Sequence, residues 1–452
     1  MLIRFTVENF MNFRDEVQLQ MFPGQGQQPP RHVILPKYKE DIPVLKTAAI
    51  FGPNASGKTN IMRAMNTAKN MILTPAARDE SLEDRRFKFK KVYLTKPTSF
   101  EFEIKGSEYN YAYGFSYTPD CIQSEWLYRI TKNDQQLIFE KESPETGYKI
   151  EASYFSEFQD QYKRLKMMTE DVLPNRLFLS SINERKIDDM AIALDLLDVF
   201  NWFKDLTIVD PESRYIRHYV LPFEDEFSKK FKDLIMRFDT GIDNVELKPI
   251  GNEKTGREIP EELLRESRVN LKPGQIRIFS TKDHNQYLLI KEKSNELTIK
   301  ELMTHHRGAE PDCWMELAEE SDGTKRLTDL LPVLIHAAMN KNTVFVIDEL
   351  DRSLHPMLTK FFVCTFLDIS QTTQMIFTAH EKGLQDQNVF RKDEIWYLEK
   401  NDQGYSELRS LAEYKDIRKD LDLERGYMAG RFGALPIVAA VCEDKKKYKG
   451  GV

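Results

Sequence analysis

The chain has 452 residues, 41% hydrophobic and 30% charged, with a formal net charge of -7 at pH 7. That length exceeds what one growing hydrophobic core serves, so two structural units are expected. No run approaches 18 uncharged apolar residues, which argues against a helical membrane span, and the acidic balance argues against a surface that coats nucleic acid as a whole.

Met1, Leu2, Ile3, Arg4 and Phe5 alternate like a strand and carry neither the basic start nor the apolar stretch of a signal peptide, so a cytoplasmic protein is expected. The cysteines Cys121, Cys313, Cys364 and Cys442 form no CxxC pair, which fits a reducing compartment and offers no zinc framework. Residues 2–20 read as strand, turn at 9–12 and strand, followed by a Pro/Gly/Gln-rich loop at 23–30. The apolar run 47–51 enters a glycine loop and then a helix with Ile61, Met62, Met65, Ala68 and Ile72 on one face.

Three alternating runs between 99 and 139 predict an antiparallel β-subdomain. Residues 154–240 show helical spacing, as in Met190, Leu194 and Leu197, and predict a helical insertion without coiled-coil heptads. Strand-like alternation returns at 245–250 and 276–290, around a charged stretch, 253–268, expected to be an exposed helix or loop. From 312 to 398, helices alternate with apolar strands, as in a sheet covered on both faces. The expected division is an N-terminal lobe at 1–150, a mainly helical insertion at 151–300 and a C-terminal lobe at 301–452. The basic cluster at 445–449 reads as a solvated tail.

Gly52, Pro53, Asn54, Ala55, Ser56, Gly57, Lys58 and Thr59 match the P-loop pattern in full, between a strand and an amphipathic helix. In such a loop the glycines let successive N–H groups converge on phosphates, Lys58 bridges the terminal phosphates and the Thr59 hydroxyl reaches Mg²⁺. The strand at 344–347 runs into Asp348 and Glu349; a carboxylate at a buried strand edge needs a cation or hydrogen bonds. Asp348 is expected to hold the metal through water, and Glu349 to orient and deprotonate the attacking water.

Ser321, Asp322, Gly323 and Thr324 form a polar turn at a helix start, which alone reads as an ordinary N-cap. His380 ends the apolar strand at 375–379, and Ser353, Leu354, His355 and Pro356 open a further helix. The pair His305 and His306 lacks a third ligand and reads as structural.

The order of these motifs resembles the ABC-type ATPase heads of the SMC and OLD (overcoming lysogenization defect) groups. It is more similar still to the stand-alone AAA-family ATPases of bacterial phage-defence and abortive-infection operons, of RloC-like, PtuA-like and AriA-like kind. The residues that carry the resemblance are Val7, Glu8, Asn9 and Phe10 with Phe13 and Arg14, the P-loop, the stretch 320–327, and Ile347, Asp348 and Glu349 with the 353–356 block.

The resemblance implies an α/β fold, a P-loop NTPase of ABC-ATPase head type with an antiparallel β-subdomain and a helical insertion. It also implies an ATPase that uses ATP and Mg²⁺ in a homodimer or higher homo-oligomer. ATP would lie between the P-loop of one subunit and Ser321 and Gly323 of another, with His380 at the γ-phosphate, the 353–356 loop at the subunit contact, and Phe13 and Arg14 near adenine or phosphates. The Ser321 turn lacks the second glycine and the glutamine of the transporter signature, which counts against a transporter subunit. Gln123 is the nearest candidate for a metal-contacting glutamine, and a surface role is the preferred reading for it.

A guanine-reading N-K-x-D element is missing after the P-loop, which counts against a GTPase. By analogy the protein acts as a sensor or scaffold in anti-phage defence, controlling a nuclease or toxin. The stretch after His380 is short for a fused nuclease, so the effector is expected as a separate chain encoded nearby. The alternative is a DNA-repair or SMC-like ATPase acting directly on DNA, and DNA contact stays open as a partner.

Overall fold

A computed structural model describes residues 1–24, 29–36, 41–150, 159–183, 192–211, 225–281 and 286–414. Met190, Cys442 and the basic cluster at 445–449 lie outside the described residues. The chain forms two compact units, Met1–Ile208 with Asn342–Leu350 and Thr372–Val452, and Val209–Lys341 with Asp351–Gln371. The boundaries expected at 150 and 300 do not coincide with these units, because the helices just after 150 pack on the first unit's antiparallel sheet.

That sheet runs in the order Lys149–Ile150, Gln135–Lys141, Ile122–Ile130, Asn110–Tyr117, Thr98–Lys105, Leu2–Glu8 and Val17–Gln20. Its core face is aromatic, as alternation dictates: Phe5 faces Phe102, Val7 faces Phe100, and Phe100 faces Phe115 across neighbouring strands. Helix Ala193–Asp205 closes this face, with the Phe203 ring 4.9 Å from Phe102 and 5.8 Å from Tyr113. Each wholly buried Phe contributes roughly 1.5–3 kcal/mol.

Glu125, fully buried on Ile122–Ile130, accepts from the Tyr113 hydroxyl at 3.0 Å, the Tyr148 hydroxyl at 2.7 Å, and the Phe178 and Leu179 N–H groups at 2.7 and 3.1 Å. The carboxylate thus satisfies the first free amides of helix Phe178–Asn183 and ties that helix to the sheet. Burial still raises the Glu125 pKa, because desolvation outweighs the four donors.

The same unit holds Val344–Ile347, Gln374–Thr378, Thr47–Phe51 and Ile395–Lys400 as neighbouring parallel strands, with Ser406–Ser410 antiparallel beyond them. The first three are buried at every position, as strands covered on both faces must be. Gln374, itself buried, joins the two sheets: its amide donates to the Leu2 and Leu45 carbonyls and its oxygen accepts from the Leu2 N–H. Such a group must find partners wherever it is buried.

In the second unit the sheet order is Ile242–Pro249, Leu297–His306, Gln286–Lys291 and Ile276–Ser280, with Met315–Glu316 paired to Leu297–His306. The charged stretch between the first of these strands and the rest is helical, as Asn252–Glu258 and Glu261–Asn270, with Arg257–Glu253 and Arg265–Glu261 pairs one turn apart. Helices Asp225–Ile235, Asp322–Ala338 and Pro356–Ile369 pack together in this unit. The region expected as a mainly helical insertion therefore divides between helices on the first sheet and a mixed layer with a second antiparallel sheet. Among the described residues, no helix is long and apolar enough to cross a membrane.

Candidate functional site

Parallel strands bring their C-terminal ends to one edge, which collects the residues that follow them. Thr47–Phe51 delivers Gly52, Val344–Ile347 delivers Asp348 and Glu349, and Gln374–Thr378, lying between those two strands, delivers Ala379 and His380. Two strand spacings of about 4.8 Å separate the loop strand from the acid strand, so the edge spans about 10 Å.

Gly52 is required by a close approach, since a Cβ there would sit 2.3 Å from the Leu398 carbonyl oxygen. Pro53 is half-buried, Asn54 and Ala55 are exposed, and Ser56 and Lys58 are buried. Ala55 and Gly57 take left-handed backbone, at φ 64° and 99°, which turns successive amides inward in the manner of an anion nest. Helix Lys58–Leu73 starts there with Thr59 in its first turn and buries the expected Ile61, Met62, Met65, Ala68 and Ile72. Lys58 Nζ donates to the Gly52 and Pro53 carbonyls at 2.7 and 3.1 Å, so its ammonium crosses the cradle of its own loop.

Asn12 braces this loop: its Nδ2 donates to the Ser56 carbonyl at 3.1 Å, and its Oδ1 accepts from Asn60 Nδ2 at 2.6 Å. Ser406 Oγ donates to the same carbonyl at 2.6 Å. The turn that carries Asn12 is held by left-handed Asn9 and Met11 and by a bridge between Phe10 and Phe13. Phe13, expected by analogy near adenine or phosphates, is instead wholly buried in the core. Arg14 lies over the Tyr405 ring at 3.6 Å and bonds Asp15 and Gln403.

Asp348 is 2% exposed, and its Oδ1 accepts from Thr378 Oγ1 at 2.5 Å. The same hydroxyl accepts from the Glu349 N–H at 2.8 Å, so one threonine fixes both acids. Glu349 stands at φ 47°, a left-handed conformation whose strain of roughly 1–3 kcal/mol is typical of a functional turn. Its side chain is about one-third exposed, with Oε1 3.7 Å from His380 Nε2. Asp348 is a buried carboxylate at the same sheet edge as the P-loop that carries the Thr59 hydroxyl, and oxygen donors of this kind fit a nucleotide-bound Mg²⁺.

Ser321 and Gly323 belong to the second unit. Ser321 is exposed and caps helix Asp322–Ala338, accepting from the Thr324 N–H. Gly323 again has a steric reason: a Cβ would lie 2.9 Å from the Ser353 carbonyl oxygen, so this turn and the 353–356 block touch. Ser353 has φ 61° and His355 caps helix Pro356–Ile369. His305 bonds Asp243 and the Glu310 carbonyl, and His306 bonds Glu320. Gln123 bonds Thr118 and Cys121 inside the first unit's antiparallel sheet. Thr378, Asn12 and Ser406 escaped the sequence reading, because no spacing rule links a brace to a loop so distant in sequence.

The family described as "AAA domain, putative AbiEii toxin, Type IV TA system" matches residues 48–384, a span containing the P-loop, the acid pair and His380. The chain belongs to this AAA family. The P-loop α/β fold of this AAA protein, with its antiparallel sheet, is thus the one expected. Among curated proteins none matches it.

Solved structures similar to this AAA protein include an SmcHead bound to the C-winged helix domain of ScpA, at 13% identity and TM-score 0.41, covering 90% of this chain and 97% of that one. The SMC head domain from Thermotoga maritima is similar at 12% identity and TM-score 0.39, covering 90% and 98%. The Smc head with an extended coiled coil bound to the C-terminal domain of ScpA, derived from Pyrococcus furiosus, is similar at 16% and TM-score 0.36, covering 95% and 98%.

Proposed function

We propose that this AAA-family protein binds and hydrolyses ATP with Mg²⁺ in composite sites shared by two copies of the chain. Closing and opening of the pair then governs a separately encoded effector, a nuclease or toxin, in bacterial anti-phage defence. The observation that carries the reading is the arrangement of Asp348, Thr378 and Glu349 at the same sheet edge as the P-loop.

In this reading the phosphates take the place of the Gly52 and Pro53 carbonyls as partners of Lys58, and the backbone N–H groups of residues 54–59 enclose them. Thr59 and, through water, Asp348 would hold Mg²⁺, which would supply charge neutralisation to the phosphates. Glu349 accepts a proton from the attacking water and aims it at the γ-phosphorus, and His380, beside Glu349, donates toward the γ-phosphate. Ser321 and Gly323 of the second copy complete the γ-phosphate shell, in keeping with the exposure of Ser321 on its own chain.

The family description, which names a toxin of a Type IV TA system, supports a defence setting over a transport one. The test is Glu349→Gln: ATP binding is retained, turnover is lost, and light scattering registers a dimer that persists only with ATP. Wild-type turnover by this variant sinks the assignment of Glu349.

A further inference from the structure

In the second unit, the residue directly before the Ser321 turn is anchored in an unusual way. Glu320 is 7% exposed, and a buried carboxylate needs donors. Both donors that face its Oε1 come from one strand end: Thr304 Oγ1 at 2.5 Å and His306 Nε2 at 2.7 Å. Thr304 and His306 are two apart on Leu297–His306 and therefore project from the same face.

That strand end is held on both edges, opposite Val245 and Ile242 on one side and Met315 on the other. The Thr304 hydroxyl also lies 3.2 Å from the Met315 carbonyl oxygen. One peptide unit separates this clamped carboxylate from Ser321, which is exposed and whose Oγ accepts from the Thr324 N–H at 3.2 Å.

We infer that Thr304, His306 and Glu320 are positioning residues that set the Ser321–Gly323 turn for the nucleotide of a second copy. The inference rests on the composite-site reading above and deepens it. The helix cap orients the Ser321 side chain relative to its own helix, but it does not fix where the turn stands. The Glu320 clamp does, by tying the turn to a sheet, and displacement of a ligand group by about 1 Å at a reacting centre is enough to depress turnover strongly. The pair His305 and His306, which reads as merely structural in the sequence, thus divides: His305 serves the sheet edge through Asp243, and His306 serves the turn.

The test uses the full-length chain in the Glu349→Gln background, where ATP-driven dimerisation is the readout. Thr304→Val with His306→Leu removes both donors at similar volume, and Thr304→Ser with His306→Gln retains a hydroxyl and an N–H. Binding of a fluorescent ATP analogue by the single chain reports the P-loop, and thermal midpoint reports folding. The inference expects the first pair to weaken the ATP-dependent dimer at least about tenfold, with analogue binding unchanged and the conservative pair dimerising like the parent.

Equal loss of analogue binding and dimerisation, or failure of the conservative pair to restore the dimer, overturns it. Parent-like dimerisation by the donor-less pair also overturns it. If the Glu349→Gln parent itself shows no ATP-dependent dimer, the composite-site reading has failed first, which separates the two ideas.

Discussion

The side-chain amide of Asn12 stands where a Cβ on Gly57 would have to go: the added atom would lie 2.0 Å from Asn12 Nδ2, at a backbone φ of 99°. The N-terminal turn and the P-loop are therefore built against each other. Gly57→Ala meets both a clash and a left-handed strain. It should abolish ATP binding, as measured by calorimetry, and Asn12→Ala should not rescue it, because the backbone penalty remains.

Asn12→Ala alone removes one donor to the Ser56 carbonyl and leaves Ser406 in place. A lost hydrogen bond of about 1–1.4 kcal/mol corresponds to an ATP affinity roughly five- to tenfold weaker, with the fold intact. An unchanged affinity in a titration would show that the brace does not act on nucleotide. Lys58→Ala, by contrast, should leave no measurable binding.

Glu125→Ala should be among the most destabilising single changes in the chain. It strands two buried tyrosine hydroxyls and two helix-start amides, each costing about 1–3 kcal/mol when left without a partner. A drop of several kcal/mol in denaturant unfolding is expected, and a loss below about 1 kcal/mol would contradict the hub role.

His336, half-buried on helix Asp322–Ala338, has its pKa pushed down by burial, with Lys341 adding to the effect, from 6.5 to about 4. A depressed histidine means that the unfolded chain binds the proton first, so the stabilising contribution is complete above pH 6.5 and is lost as pH falls toward about 4. The thermal midpoint should therefore fall across that window, and His336→Leu should flatten the fall. A midpoint whose pH dependence is the same in both proteins would exclude His336 as its source.

The P-loop, the acid pair and the strand that ends in His380 were legible because each is a contiguous run whose residue types state their own chemistry. The aromatic antiparallel sheet was legible for the same reason, since alternation is local. Gln374 joining Leu2 and Leu45, Thr378 bridging Asp348 and Glu349, and Glu125 capping a distant helix were not, because each is a polar side chain whose meaning lies in a partner far along the chain. Phe13 misled for a related reason: the resemblance fixes its position in the sequence but not the direction of its ring, which turns into the core.

The central claim is that each ATP is completed by two chains, and mixing two dead variants tests it most directly. Lys58→Ala lacks a working P-loop, and Ser321→Arg lacks a working turn, so each alone should hydrolyse no ATP. Randomly mixed, half of the pairs carry one intact site of two, so about a quarter of wild-type turnover should return. A mixture as inactive as its components, from variants shown to be folded and to exchange partners, would contradict the account.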